Sequence, residues 1–256
     1  QQLEEHLGAD LLHRGRKGAV LTEMGRLVEG EARNLVARYD QMREQIRAHQ
    51  GLEDGTIRIG GGATAVSYVL PEAIARFQQA HPGVRFQLKE AGSAEVARDV
   101  LSGQLELGVV TLPVQGRDLH ITPLVMDGIV LVGRADHPLV DHPRVRITDL
   151  EGQSFVGFEA DTAVRQIIDS TLRSAGVSMN VVMELRSIPA ILRMVVTTGN
   201  LAFVSRMGVE SQQGVRVIAV EGLRIERELA VITRRDQVLS PAARTFSEGL
   251  ADQAVK

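Results

Sequence analysis

The chain has 256 residues, of which 44% are hydrophobic and 24% charged, and its formal net charge at pH 7 is −3. This composition is typical of a globular protein with two or three domains, and the net charge provides no general attraction to nucleic acid. The absence of cysteine excludes disulfide bonds, thiolate metal sites, cysteine nucleophiles and redox sensing through a disulfide. No apolar run is long enough to span a membrane and no signal peptide is recognisable, so we expect a cytoplasmic protein.

The first 21 residues have the pattern of a helix followed by a two-stranded hairpin. Gly8 ends the helix, and a short strand follows it. Residues 15–18 supply a turn, and residues 19–21 return as the second strand. A longer helix then begins at Thr22.

The helix predicted over residues 22–50 carries one narrow apolar stripe. Its members are spaced alternately by four and three residues, which is the heptad pattern of a coiled coil. At about 1.5 Å per residue the helix is roughly 43 Å long, longer than a small domain is wide. We therefore expect the stripe to pair with a second copy of the chain, through Val28, Leu35, Tyr39, Met42 and Ile46. The alternative is an amphipathic helix that lies on its own subunit.

After a predicted hinge at residues 51–55, short apolar strands alternate with amphipathic helices. This alternation is typical of an α/β fold with a parallel sheet. Strands are predicted at 56–60, 84–90 and 107–111, and helices at 69–79 and 94–101.

The same unit recurs about 97 residues further along the chain. The matching segments are 64–66 with 162–164, 81–84 with 175–177, and 102–105 with 198–201. Three matches in one order predict two Rossmann-like lobes of similar fold.

Two strand-like segments are placed to cross between these lobes, at residues 124–133 and 224–233. A last helix starts with Ser240 as its N-cap and Pro241 in its first turn, and we expect it to return to the first lobe.

Two lobes joined by paired crossovers leave a cleft at the carboxyl ends of their strands, which is where ligands bind in such folds. Small and hydroxyl side chains collect at these ends, beside helix N-termini that favour anions. The candidate ligand contacts are Thr64, Ser93, Thr111, Phe158, Thr162, Phe203 and Ser205. Thr64 and Thr162 could instead be helix caps, and the phenylalanines could be core residues. Glu159 and Asp161 would oppose an anion or pair with Arg165, which leaves the ligand's polarity open.

Other chemistries lack a recognisable motif. Residues 60–62 are glycines without the spacing of a dinucleotide fingerprint, and there is no phosphate-binding loop. The seven histidines are scattered, and no nucleophile stands beside a base. We predict no catalytic residues, no metal and no cofactor.

The front end nevertheless resembles a known family. The pattern is Leu3-Glu4-x-x-Leu7-Gly8-x-x-Leu11-Leu12-x-Arg14, followed by Leu21-Thr22-Glu23-x-Gly25. It is similar to the winged helix-turn-helix of LysR-type transcriptional regulators, and the resemblance continues to residues 240–243. It implies a DNA-binding head, most of which would precede Leu3, with Arg14, Arg16 and Lys17 in the wing as candidates for DNA contact.

The resemblance further implies a linker helix that pairs in dimers and tetramers, and an effector domain of periplasmic-binding-protein type. The family's effector contacts fall on the residues given above except Ser93, and they add Ser67. The implied division is 1–21 wing, 22–50 linker helix, 51–55 hinge and 56–256 effector domain. Its first lobe would span 56–127 and 231–256, and its second 128–230.

On this interpretation the partners are promoter DNA, further copies of the chain and a small-molecule inducer, with organic acids as candidates. No membrane partner is expected. One alternative is a solute-binding protein of the same two-lobed fold, which would have no use for a wing or a coiled-coil helix. An α/β enzyme is the other alternative, and it would need an acid-base pair in the cleft.

Overall fold

The computed structural model describes residues 2–15, 18–49, 55–209 and 212–253. Most of the predicted hinge, residues 51–54, lies outside the described residues, as do Arg16 and Lys17. The helices are α1 Gln2–Leu7, α2 Glu23–His49, α3 Leu70–Ala80, α4 Ser93–Ser102, α5 Ala163–Ser174, α6 Ile188–Thr198 and α7 Pro241–Gln253. The strands are β1 Leu12–Gly15, β2 Gly18–Leu21, β3 Gly55–Gly61, β4 Val84–Glu90, β5 Leu107–Thr111, β6 Leu119–Arg134, β7 Ser154–Phe158, β8 Asn180–Leu185, β9 Ala202–Ser205, β10 Val215–Ile218 and β11 Ile225–Arg234.

The front end forms the predicted helix and hairpin, held to the start of α2. Gly8 ends α1 in the left-handed region, with φ 65°. The Glu4 carboxylate accepts the N–H groups of Leu11 and Leu12 at 2.9 and 3.0 Å, and these bonds lower its pKa. The Thr22 hydroxyl caps α2 by accepting the N–H of Gly25 at 2.8 Å. A Cβ on Gly25 would lie 2.0 Å from the Leu11 carbonyl oxygen, so this position requires glycine.

The apolar stripe of α2 remains open to solvent in the single subunit. Leu35, Tyr39, Met42 and Ile46 are between 48% and 67% exposed, while Val28 is half-buried. Burying such side chains against a partner is worth about 1.5 to 3 kcal/mol each. Their exposure is consistent with the predicted pairing and leaves it to be tested.

The first lobe is built around parallel strands. β3 lies between β4 and β5 and pairs in parallel with both. One apolar cluster fills the face covered by α3 and α7, and a second fills the face covered by α4. The predicted strands 84–90 and 107–111 are confirmed, and α7 returns to this lobe as predicted, through Phe246 and Leu250.

The second lobe repeats this plan. β7 and β8 pair in parallel, and a bridge from Phe155 to Leu201 connects β7 to the segment that leads into β9. Its apolar cluster runs from Ile129 to Ile225 and includes α5 and α6. The two-lobed fold is therefore confirmed.

Two long antiparallel strands, β6 and β11, join the lobes. In the described part of the chain they belong to a seven-stranded sheet of order β10-β6-β11-β5-β3-β4, with β9 also pairing with β6. A register shift between Leu229 and Ala230 marks where β11 passes from one lobe to the other. These are the predicted crossovers, although β6 is longer than expected because it also forms the first-lobe edge beside β11.

Ser240 caps the N-terminus of α7, and this hydrogen bond can be tested by substitution. Its hydroxyl accepts the N–H of Ala243 at 3.2 Å, as an N-cap does. Replacing Ser240 by alanine should lower the free energy of unfolding by about 1 kcal/mol. Urea denaturation measures this loss, with Thr245→Ala as the control, because the Thr245 hydroxyl only bonds back to the Pro241 carbonyl within the helix. Equal stabilities of the two variants would contradict the capping role.

Candidate functional site

A cavity of about 180 Å³ lies between the two lobes. Most of its walls come from the carboxyl ends of β3, β4, β5 and β7 and from the starts of the helices that follow β3, β4 and β7. Its size lies below the roughly 300 to 1,000 Å³ of sites for drug-sized ligands, so it suits a small metabolite. A groove of about 600 Å³ beside α2 is larger but open to solvent, and it would bury less of a ligand.

The glycines at residues 60–62 bring the first helix start close to the sheet. A Cβ on Gly60 would lie 2.5 Å from Leu105, and one on Gly61 would lie 2.9 Å from Ala65. Gly62 has open space instead and lines the cavity. Gly60 and Gly61 thus serve close packing, and the dinucleotide interpretation has no further support.

Thr64 stands inside the first helical turn rather than before it. Its backbone is helical, at φ −64° and ψ −43°, and its hydroxyl caps no N–H group, so the capping alternative is wrong for this residue. The side chain is buried, and its oxygen accepts a hydrogen bond from the Arg227 guanidinium. Residues 65–69 then form a wide helical turn, a feature often found at functional sites.

Ser93 and Thr111 hold the next corner of the cavity. Ser93 begins α4, and its hydroxyl accepts the N–H of Thr111 at 3.0 Å. This bond ties the start of α4 to the end of β5. Both side chains line the cavity, beside the N-terminal N–H groups of α4.

A buried ion pair lies where the crossover strands pass between the lobes. Arg227 on β11 meets Asp127 on β6 through Nε at 2.9 Å and Nη2 at 2.8 Å, and their side chains are only 5% and 1% exposed. Arg227 also donates to Thr111 Oγ1 at 3.3 Å, while Ser205 donates to Asp127 at 2.7 Å. Burial lowers the pKa of Arg227, and Asp127 opposes that shift.

The second lobe contributes Phe158, Thr162 and Arg186 to the cavity. Thr162 is an N-cap: its hydroxyl accepts the N–H of Arg165 at 3.4 Å and donates to the Glu159 carbonyl at 2.7 Å. Arg186 pairs with Glu159 at 2.5 Å and with Asp161 at 3.3 Å. The hydrogen bond to Glu159 raises the pKa of Arg186.

Of the two alternatives for Glu159 and Asp161, pairing with Arg165 is therefore wrong. Arg165 bonds to Asp169 at 3.0 Å and Glu184 at 2.9 Å instead, because its side chain lies along α5 towards β8. Arg186 offsets one of the two negative charges of Glu159 and Asp161, and Glu90 adds a negative charge at the first-lobe wall of the cavity.

The lobes also touch through Tyr68, on the wide turn after Thr64. Its ring packs against the second-lobe cluster, and burial raises the pKa of its hydroxyl. A Cβ on Gly208 would lie 3.0 Å from the Tyr68 oxygen and 2.9 Å from Ile188. Gly208 therefore leaves the space that Tyr68 occupies.

The structure brings together five predicted ligand contacts: Thr64, Ser93, Thr111, Phe158 and Thr162. Three others lie elsewhere. Ser67 is half-buried on the wide turn, Phe203 stacks on Phe155 at 5.9 Å in the core, and Ser205 is fully buried against Asp127. Of the cationic residues predicted in the wing, Arg14 lies on β1.

Sequence reasoning missed Arg186, Arg227 and Asp127. Two of them carried a usable indication, because Arg227 and Asp127 interrupt the apolar strands predicted as crossovers. A charged residue on a buried strand needs a partner, and each strand offers one. Arg186 stands before α6 in a polar stretch and carried no such indication.

The family assignment follows from sequence comparison. The family model described as LysR substrate binding domain matches residues 50–255. The chain belongs to the LysR family of transcriptional regulators. A LysR-type relative from Cyanophora paradoxa, named a probable RuBisCO transcriptional regulator, is 30% identical over 257 residues, which cover 97% of this chain and 79% of the relative.

Solved LysR structures share the fold. The regulatory domain of CcmR from Synechocystis PCC6803, in complex with 2-PG, has a TM-score of 0.72 at 22% identity and covers 78% of this chain and 98% of that one. Full-length CbnR complexed with its target DNA has a TM-score of 0.77 at 17% identity and covers 99% of this chain and 87% of that one. The helices of the described residues are too short or too polar to span a lipid bilayer.

Proposed function

We propose that this LysR-type regulator binds a small organic acid between its lobes and thereby changes how paired DNA-binding heads engage a promoter. The observation that carries this proposal is the cavity between the lobes, whose walls come from both lobes and include hydroxyl groups, helix N-termini and arginines beside apolar side chains and Glu90. A ligand that contacts both walls favours one angle between the lobes. Its differential affinity sets the coupling, typically about 1 to 3 kcal/mol.

The related structures support both halves of the proposal. The CcmR domain was solved with 2-PG, and CbnR with its target DNA. We infer the same roles here: residues 56–256 sense the effector, residues 22–50 pair copies into dimers and tetramers, and the wing with Arg14, Arg16 and Lys17 contacts DNA. The lobes divide as 56–127 with 231–256, and 128–230.

We further propose that the chain is a cytoplasmic regulator and has no catalytic role. Its relatives are named as regulators, and a cavity that only binds would suffice for that work. A solute-binding protein of the same fold has no support, because the chain carries the linker helix and the hairpin as well.

Thermal-shift screening of small carboxylic acids, with shikimate and 2-PG among them, tests the effector half. A saturating acid at about 100 times its Kd should add about 2.7 kcal/mol to the free energy of unfolding, roughly 5 to 10 °C in Tm. Thr64→Val should lose most of that shift, because it removes a hydroxyl from the cavity wall. The matched control is Thr197→Val on α6, whose hydroxyl bonds only to the Arg193 carbonyl.

Small-angle scattering with and without the best acid tests the conformational half. A change in overall dimensions is expected at saturation. Identical curves at saturation, or an acid whose binding is the same in Thr64→Val and Thr197→Val, would contradict the proposal.

A further inference from the structure

The hydrogen bonds around Arg227 determine which way two hydroxyl groups of the cavity point. A guanidinium group can only donate hydrogen bonds. Because Arg227 donates to the oxygens of Thr64 and Thr111, both oxygens act as acceptors towards it. Their own O–H hydrogens must therefore point elsewhere.

The cavity is the open space beside both hydroxyl groups, so their O–H hydrogens can point into it. Thr64 and Thr111 are 3% and 6% exposed, and both line the cavity. Among the hydrogen bonds of the described residues, neither hydroxyl donates to a protein acceptor. A buried donor without an acceptor is costly, so these hydroxyls are disposed to donate to a ligand.

Ser93 adds a third donor by the same reasoning. Its oxygen already accepts the N–H of Thr111 at 3.0 Å, so its hydrogen is also free for a ligand. The start of α4, where the first N–H groups of the helix lie, lines the same wall. Thr162, across the cavity, differs because its hydroxyl donates to the Glu159 carbonyl and is already used. We call Thr64, Ser93 and Thr111 the donor wall.

The donor wall carries little net charge of its own. Asp127 lies 2.8 Å from Arg227 Nη2 and offsets its positive charge, and Ser205 completes the set by donating to Asp127. The wall can therefore recognise an acceptor by oriented dipoles rather than by an unbalanced charge. Such preoriented donors favour a carboxylate over a neutral group of the same shape.

We propose that Arg227 is the positioning residue that makes the effector cavity selective for carboxylates, by turning the Thr64 and Thr111 hydroxyls into donors. The proposal rests on the cavity being the effector site and adds how its selectivity arises. Arg227 is placed for this task because β11 carries it between the lobes, within reach of the first helix start and of the end of β5.

Acetate and acetamide are the probes, because they have nearly the same shape and differ in charge and acceptor strength. We expect acetate to cause saturable NMR shifts of the backbone amides of residues 63–65, 93 and 111 in the full chain. Its Kd should be at least about 10-fold below that of acetamide, the difference expected for hydrogen bonds to a charged group. Absence of saturable shifts with acetate, at the highest concentration the folded protein tolerates, would overturn the proposal.

Arg227→Lys separates charge from geometry. Lysine keeps the positive charge beside Asp127, but its single nitrogen cannot reach both threonines and the carboxylate together. The ratio of the acetamide Kd to the acetate Kd should fall towards one in this variant. The paired variant Arg227→Gln with Asp127→Asn buries no charge. Its acetamide and acetate dissociation constants should also become similar. Arg144→Lys, at the exposed pair with Glu221, is the control and should keep the wild-type ratio.

If both Arg227 variants kept the wild-type ratio of the two dissociation constants, the proposal would be overturned. A variant that is merely less stable keeps this ratio, because unfolding weakens the binding of both probes equally. A failure of the proposed function would give a different experimental result from a failure of this inference. Acetate would then bind the donor wall selectively, yet no acid would change the scattering curve. A neutral effector that shifts the lobes while acetate fails to bind would defeat this inference and leave the regulatory function in place.

Discussion

Replacing Arg227 by methionine is expected to lower the free energy of unfolding by about 3 to 5 kcal/mol. The variant would leave Asp127, which is 1% exposed, buried without its cation. It would also remove the donors that serve Thr64 and Thr111. Urea denaturation of the full chain, with fluorescence from an added dye or circular dichroism as the probe, measures the loss.

Two further variants serve as controls for the effect of Arg227→Met. Arg144→Met removes the partner of Glu221 at an exposed ion pair, and it should cost no more than about 1 kcal/mol. Arg227→Met combined with Asp127→Leu removes both buried charges and should recover much of the stability. If Arg227→Met lowered the free energy of unfolding no more than Arg144→Met does, Arg227 and Asp127 would not depend on each other as a buried ion pair.

Replacing Leu35 and Met42 together by glutamate should convert a dimer of this chain into monomers. Both side chains are largely exposed on the α2 stripe, at 67% and 48%. In a paired helix they would become core positions, where a carboxylate costs several kcal/mol. We expect the dissociation constant to rise at least about 100-fold, which corresponds to about 2.7 kcal/mol. Analytical ultracentrifugation over a range of concentrations measures it.

Val36→Glu is the matched control for that experiment. Val36 lies on the same helix and is 61% exposed, but it faces the groove beside the first lobe rather than the stripe. This variant should keep the wild-type dissociation constant. A monomeric wild-type chain, or equal weakening by both changes, would show that α2 does not pair through the predicted stripe.

The two expectations concern the two kinds of contact that the proposed function needs, one between the lobes and one between copies of the chain. The ion pair joins β6 and β11 where the lobes meet, and α2 is the element by which copies would meet. Tyr68 adds a second link, because it lies on the turn directly after Thr64 and packs against the other lobe. A ligand held by Thr64 is thus one short turn away from a contact between the lobes.

Local sequence patterns determined the elements of this protein and the positions of several site residues. The change from a heptad spacing to alternating strands and helices placed α2, β4 and β5, and turn and cap residues placed Gly8 and Ser240. Thr64, Ser93 and Thr111 could be predicted because the ends of parallel strands and the starts of the next helices converge in any fold of this class.

Only the tertiary structure decided which side chains face the cavity and which charges meet. β9 is buried on both faces, so its sequence has no alternation to show that Phe203 packs into the core and Ser205 faces Asp127. Arg227 lies 100 residues from Asp127 and 163 from Thr64. Such pairings depend on how the two crossover strands align, and local spacing along the chain carries no information about that register.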